Sequence, residues 1–392
     1  MLLSRVLRLS AQRALCRLLG RRFRSCLLAG LAVAAPPAHA LLRFDEVNQV
    51  NIRLTSSVAW DSNLTAQSNG IEDYTFSAGL GLDFARHAGL LSLDVSADVT
   101  ASHYQTHSGM DTTDPRFSLT ISKGTGRLTG GLNMGISRSA VADPTVNLRT
   151  TSWSTPLSLH LHYPINSRYS LNSDTAMAQR NYTGTDALAN YADLSEALSL
   201  AYALTSKLDM TATCRARFSS TSYQTRDQDY ATTVGFTGSV GPKLHGSLSA
   251  GYQTRTTTLG GKTYAGMNAN ADLTWNPWRA VTVTGQLSRD FSTTARAAST
   301  DSLTAGLSTD LALGRKFTVG AGITGANTRF LDGGLLLAGR QDRTLGENAH
   351  VGYRLTEHLS LSLAAMTSRT RSNSAGFSRV QRGWSLSATS QW

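Results

Sequence analysis

His160 and His162 stand two residues apart. In an extended strand that spacing puts both imidazoles on one face, where their nitrogens form two corners of a metal site. No third ligand can be picked out to complete it, and the polar face of a strand is the simpler reading. The run Gly320-Ala321-Gly322-Ile323-Thr324-Gly325 spells G-x-G-x-x-G, the pattern that brings a dinucleotide pyrophosphate onto a helix N-terminus. Here it lies inside an alternating segment with no helix behind it, so the glycines are read as places where a wall curves or is crowded. There is no G-x-S-x-G, and Ser, His and Asp are too widely scattered to single out a catalytic triad. Neither an enzyme nor a cofactor is expected.

Composition says what kind of scaffold holds these residues. Of 392 residues, 41% are hydrophobic and 16% charged, against roughly 45 to 50% and about 25% in ordinary soluble domains. Only three cysteines occur, Cys16, Cys26 and Cys214, so no disulfide framework is available. The net charge of +11 suggests nucleic acid until it is located: seven arginines and no acidic residue fall in residues 1–40, which leaves +4 for the remainder. No nucleic-acid partner is expected. The arginine-rich start gives way to the apolar run Cys26 to Ala35, then Pro36-Pro37 and Ala38-His39-Ala40, the order of an export signal with cleavage predicted after Ala40. The chain therefore divides into a signal peptide at 1–40 and a mature domain at 41–392. Past residue 40 nothing approaches the roughly 18 consecutive apolar residues of a membrane-spanning helix.

The mature part alternates instead. In Leu91-Ser92-Leu93-Asp94-Val95-Ser96-Ala97-Asp98-Val99, and again in Leu157 to Tyr163, Phe117 to Ser122 and Trp384 to Ala388, apolar and polar residues take turns. Successive strand side chains point to opposite faces, so each segment has one apolar and one polar side. Short breaks recur near Arg86-His87, Lys123 to Gly126, Pro164 to Asn166, Thr205-Ser206, Gly241 to Lys243, Asn276-Pro277, Gly314-Arg315 and Thr356-Glu357. Longer polar stretches separate them, at Asp61 to Gly70, Ser108 to Asp114, Asn181 to Asn190 and Leu331 to Gln341. This predicts an all-β, transmembrane, antiparallel up-and-down barrel of about 18 strands, with short periplasmic turns and longer extracellular loops. A soluble β-sandwich also alternates, but its strands are shorter and its loops lack this one-sided asymmetry.

In such a barrel the apolar face meets lipid and the polar face the lumen. The expected pore lining is Arg53, Asp94, Asp98, His160, His162, Asp174, Asp209, Arg215, Arg217, Asn268, Asn270, Asp272, Asp310 and Arg354. Both charge signs are present, which argues against strong ion selectivity. Phe84, Tyr163, Trp275, Trp278, Phe317, Tyr353 and Trp392 gather beside the short breaks as an interfacial belt. Trp384, Leu386 and Trp392 form an aromatic, alternating last strand, the expected signal to the barrel-assembly machinery. Leu331 to Gln341, with Leu335-Leu336-Leu337, is expected as an outer surface segment; folding into the pore is its alternative.

Ala59-Trp60-Asp61-Ser62-Asn63-Leu64, the hairpin repeat of roughly 38 residues and the aromatic last strand together resemble the β-barrel porin family whose members are often encoded with exopolysaccharide biosynthesis operons. The resemblance covers residues 41 to 392 and implies an outer-membrane conduit for a secreted polysaccharide, working with a periplasmic polysaccharide-export protein among outer-membrane lipid and lipopolysaccharide. A general or solute-selective diffusion porin, or a structural or adhesive barrel without an open pore, fits the same residues. Oligomeric state is left open.

Overall fold

The computed structural model describes residues 42–43, 47–143, 145–184, 188–258, 261–332 and 337–392; the signal peptide at 1–40 and its cleavage point lie outside the described residues. From Asn48 to Gln391 every long element is a strand. A two-residue strand, β1 (Leu42–Arg43), is followed by β2 (Asn48–Asp61), β3 (Asp73–Ala88), β4 (Leu91–Tyr104), β5 (Thr112–Lys123), β6 (Thr129–Asp143), β7 (Leu148–Pro164), β8 (Tyr169–Thr183), β9 (Tyr191–Ala203) and β10 (Leu208–Thr221). Then come β11 (Arg226–Gly241), β12 (Leu244–Thr257), β13 (Thr263–Trp278), β14 (Val281–Thr293), β15 (Ser299–Leu313), β16 (Phe317–Phe330), β17 (Gln341–Arg354), β18 (Leu359–Ser372) and β19 (Arg379–Gln391).

Each strand from β2 onward pairs antiparallel with the next, and β19 returns to β2 with Gln391 opposite Arg53 and Gly383 opposite Asp61. The result is a closed barrel of 18 strands. At the seam, Ile52 and Trp392 exchange reciprocal backbone hydrogen bonds of 2.8 and 3.0 Å. Below that point β1 takes the vacant slot beside β2, Leu42 opposite Val50.

Register carries the alternation around the wall, because residues directly opposite one another share a face. Leu54, Leu80 and Val99 form one such row, and Leu307, Ile323 and Glu347 another. The outward face is apolar and exposed, as at Leu82, Leu200, Leu248, Leu307, Leu363 and Leu386. Acidic residues break it at Glu347, at Asp301, which pairs with Arg289, and at Glu196, which accepts hydrogen bonds from Ser173 and Thr175. Aromatics mark both ends. At the tight-turn end lie Tyr163, Trp275, Trp278 and Phe317, all exposed, with Phe317 and Tyr353 rings 4.4 Å apart. A second belt, not foreseen from sequence, holds Tyr74 against Trp384 and Phe218 against Tyr230 at the long-loop end. Trp392 departs from the expected belt: it is buried and stacks on His358.

Two turns fall later than the sequence breaks suggested. β3 runs through Arg86-His87 to Ala88, and β13 runs through Asn276-Pro277 with a bulge between Trp275 and Trp278. Proline is tolerated there because a bulge leaves its missing N–H out of the ladder.

Leu307 sits mid-wall facing outward and Ser308 faces inward from the next position. Replacing Leu307 with Arg is expected to cost about 2–4 kcal/mol of stability in lipid vesicles, as for other cationic substitutions at the bilayer midplane. Ser308→Arg should cost little by the same denaturant-unfolding measurement, and equal costs would contradict the assigned faces.

Candidate functional site

The barrel encloses an interior whose lining is polar. Register places Arg53, Asp94, Asp98, His160, His162, Asp174, Asp209, Arg215, Arg217, Asn268, Asn270, Asp272, Asp310 and Arg354 all on the inward face. Near the tight-turn end these residues are wet. The Asp94, His160 and Asp174 side chains there are 47%, 53% and 54% exposed. His160 pairs with Asp174, and His162 Nδ1 lies 2.7 Å from Asn172 Oδ1. Among the described residues no cluster of three or more His, Cys, Asp or Glu is placed to hold a metal ion.

Halfway up, ion pairs arch over glycines. Arg53 on β2 donates to Asp98 on β4 at 2.7 Å, with Gly81 of β3 directly between them. A Cβ at Gly81 would lie 2.4 Å from the Asp98 carboxylate. The same device recurs five strands round the ring, where His350 on β17 and Asp310 on β15 meet at 3.3 Å over Gly320. Gly320 thus belongs to a saddle that lets charges two strands apart touch, and the G-x-G-x-x-G run needs no nucleotide to account for it.

Toward the long-loop end the lumen is pinched. The β13–β14 ladder stops at Ala269 opposite Arg289. Beyond it Thr263–Asn268 pair only with β12, and Asp290–Thr293 only with β15. The freed carbonyls of β14 are taken by inward side chains. Asn268 Nδ2 donates to the Arg289 carbonyl at 3.1 Å, Arg217 Nη2 to Phe291 at 2.6 Å and Arg255 Nη1 to Ser292 at 2.8 Å. Three arginines on β10 and β12 then meet aspartates across the space. Arg215 grips Asp290 with two bonds of 2.9 and 2.7 Å, Arg217 bridges Asp229 and Asp290, and Arg255 forks onto Asp229 at 2.6 and 2.7 Å. β10 and β14 are four strands apart, about 19 Å along a flat sheet. Direct contact between their side chains therefore means that the wall folds inward here. Arg255 is 0% and Asp229 2% exposed, whereas Arg53 lower down is 31% exposed. Charged groups this deeply buried are stable only when paired.

Above the pinch the loops roof the mouth. Residues 294–298, linking β14 to β15, reach the opposite rim, where the Ala189 amide donates to the Ala295 carbonyl at 2.7 Å. Val146, Tyr182, Leu188 and Ala295 pack together there. Arg340, fully buried between the Phe330 and Phe377 rings, donates to the Thr145 carbonyl at 3.0 Å. That bond joins the loop before β17 to the loop before β7, eight strands away by the shorter way round. Asn147 donates to Gly376, and Gln67 to Asn147. Within the 331–341 segment, expected on the outer surface, Leu337 and Arg340 are buried instead: Leu337 packs with Ala298 and Phe330, and Leu335 and Leu336 lie outside the described residues. By contrast, the loop before β5 is tied to its own rim. There the Tyr104 amide, then the His103 ring, hold the Asp111 carboxyl below its usual value.

Sequence parity reached Arg215, Arg217 and Asn268 but passed over Asp229, Arg255 and Asp290, which share that parity with their strand neighbours. Asp229→Asn should destabilise the barrel by about 3–5 kcal/mol, because it leaves the buried Arg255 guanidinium with only the more distant Asp227 at 3.7 Å and takes one of two carboxylates from Arg217. Denaturant unfolding of the reconstituted protein checks this. Asp174→Asn, in the wet end, should change stability by under about 1 kcal/mol.

In fold, the chain is similar to OccK3 (OpdO) of Pseudomonas aeruginosa, at 12% identity and TM-score 0.47, over 88% of this chain and 95% of that one. OccAB2 of Acinetobacter baumannii gives 10% and 0.48 over 88% and 98%. The FrpB iron transporter of Neisseria meningitidis (F3-3 variant) gives 10% and 0.49 over 86% of this chain, which spans 64% of FrpB's length. No curated protein matches in sequence. Residues 217–391, from within β10 to the end of β19, match the family described as "Putative beta-barrel porin 2".

Proposed function

We propose that the protein is an outer-membrane channel for small polar solutes, a porin with a wide vestibule at the tight-turn end and a narrow, charge-paired constriction beneath a roofed outer mouth. The observation that carries this reading is the gradient along the lumen, from half-exposed Asp94 and Asp174 to the fully buried Arg255 pinned across the wall. The match of residues 217–391 to a porin family supports it. The reading also takes residues 1–40 as the export signal and Trp384, Leu386 and Trp392 as the mark read by the barrel-assembly machinery.

At the constriction, Arg215, Arg217 and Arg255 face Asp227, Asp229 and Asp290. Equal numbers of opposite charges leave little net field to sort ions by sign, but they line a passing solute with donors and acceptors. Polyhydroxylated molecules exchange water for such groups readily. Export of a polysaccharide strand fits this lumen less well. A threading polymer would have to hold open the Arg340–Thr145 and Ala189–Ala295 bridges and the ion pairs below them for its whole length.

Single-channel recording in planar bilayers is expected to show a small conductance for a barrel of this strand number. Asp290→Asn, which frees Arg215 from its one ion-pair partner among the described residues and Arg217 from one of two, should raise conductance and shift the reversal potential in a salt gradient toward anions. An unchanged reversal potential would place Asp290 off the conduction path. In a liposome-swelling assay, monosaccharides should enter the wild-type barrel and oligosaccharides should be excluded; equal rates for both would favour the wide polymer conduit.

A further inference from the structure

Just beyond the outer aromatic belt, the outward face of β17 to β19 turns from apolar to basic. Arg343 on β17, Arg369 and Arg371 on β18 and Arg382 on β19 have the same parity as Leu345, Leu363 and Leu386, and all four are exposed. Arg343 lies directly opposite Arg371, Leu345 opposite Arg369, and Thr367 opposite Arg382. Like charges facing each other across a ladder destabilise it. Among the described residues none of the four guanidinium groups has an ion-pair partner within the barrel. Arg329 flanks the group on β16, opposite an Asp301 that is already engaged by Arg289 at 2.8 Å. The acidic group on this part of the face, Glu347, sits one row nearer the wall's middle, opposite Thr367.

Below the arginines the wall is shallow and apolar. Ala321, Ala349 and Ala365 are consecutive partners across β16 to β18, with Ile323, Leu345, Val351 and Leu363 around them. On β8 the corresponding outer end carries Gln179 and Asn181 instead.

We infer that this patch binds a multiply phosphorylated glycolipid of the outer leaflet, with phosphates on Arg343, Arg369, Arg371 and Arg382 and acyl chains along the alanine trough. Charge complementarity selects this occupant. Four guanidinium forks at headgroup depth suit phosphate oxygens two at a time, and an anionic lipid removes the repulsion they impose on one another. The loops roofing the mouth spring from these strands, so the lipid also braces the β16–β17 and β18–β19 ends that carry Arg340 and Phe377.

The test titrates the purified full-length barrel, in neutral detergent, with diphosphoryl lipid A, monophosphoryl lipid A and a zwitterionic phospholipid, and reads bound lipid by native mass spectrometry. The diphosphoryl form should be retained at least about tenfold better than the zwitterionic lipid, a gap of about 1.4 kcal/mol. The variant R343Q/R369Q/R371Q/R382Q should lose that preference. Arg226→Gln, outward-facing on β11, should keep it. Should the fourfold variant fail to fold, R369Q/R382Q in a barrel that still migrates as folded without heating serves in its place, with a partial loss expected. Equal retention of the three lipids, or an arginine variant that binds like wild type, would overturn the assignment. The readout is lipid occupancy rather than conductance, so it stands or falls separately from the channel reading.

Discussion

A polypeptide that crosses hydrocarbon must give every amide and carbonyl a partner within itself, because no water is there to supply one. Closing β19 onto β2 meets that demand around nearly the whole circumference. Pairing lapses between β5 and β6, whose ladder stops at Arg116 opposite Ser137, and between β13 and β14, and what happens at the second break shows how strict the demand is. Where strand pairing ends at Ala269 and Arg289, side chains from inside the barrel take over the β14 carbonyls one after another. The arginines that do so come from β10 and β12, and in reaching β14 they draw the wall inward.

The constriction is therefore a by-product of backbone satisfaction as much as a filter in its own right. Arg217 and Arg255 each bond a carboxylate and a backbone carbonyl at once. Any change that frees them for a passing solute also strips β14 of partners, so selectivity and stability are coupled at this point. Lower in the lumen the two are separate. Arg53 and Asp98 arch over Gly81, and His350 and Asp310 over Gly320, with no backbone role for the side chains, so changes there alter the lining with little consequence for the wall.

Much of the architecture was legible because its code has period two. The alternation at Leu91 to Val99 and Leu157 to Tyr163 gave strands, faces and the inward placement of His160, Asp174 and Arg215, since parity fixes the face once a strand is granted. Strand count followed from the spacing of turns. What parity does not encode is which inward residues meet across the enclosed space. Asp290 and Arg215 are 75 residues and four strands apart, and their contact depends on a local break in pairing that leaves no mark on the alternation. The roofed mouth was hidden for a similar reason. Leu337 and Arg340 read as an exposed polar loop with a few leucines until Phe330 and Phe377 are seen to sandwich the guanidinium.

The seam between Ile52 and Trp392 joins segments more than 300 residues apart in sequence. Beyond the two residues of β1, the edge of β2 turned away from β3 has no mate until β19 exists. Until that closure the sheet has two open borders of unpaired backbone groups, each a template for pairing with another chain. A ring shut by its most distant contact closes slowly and leaves those borders bare in the meantime.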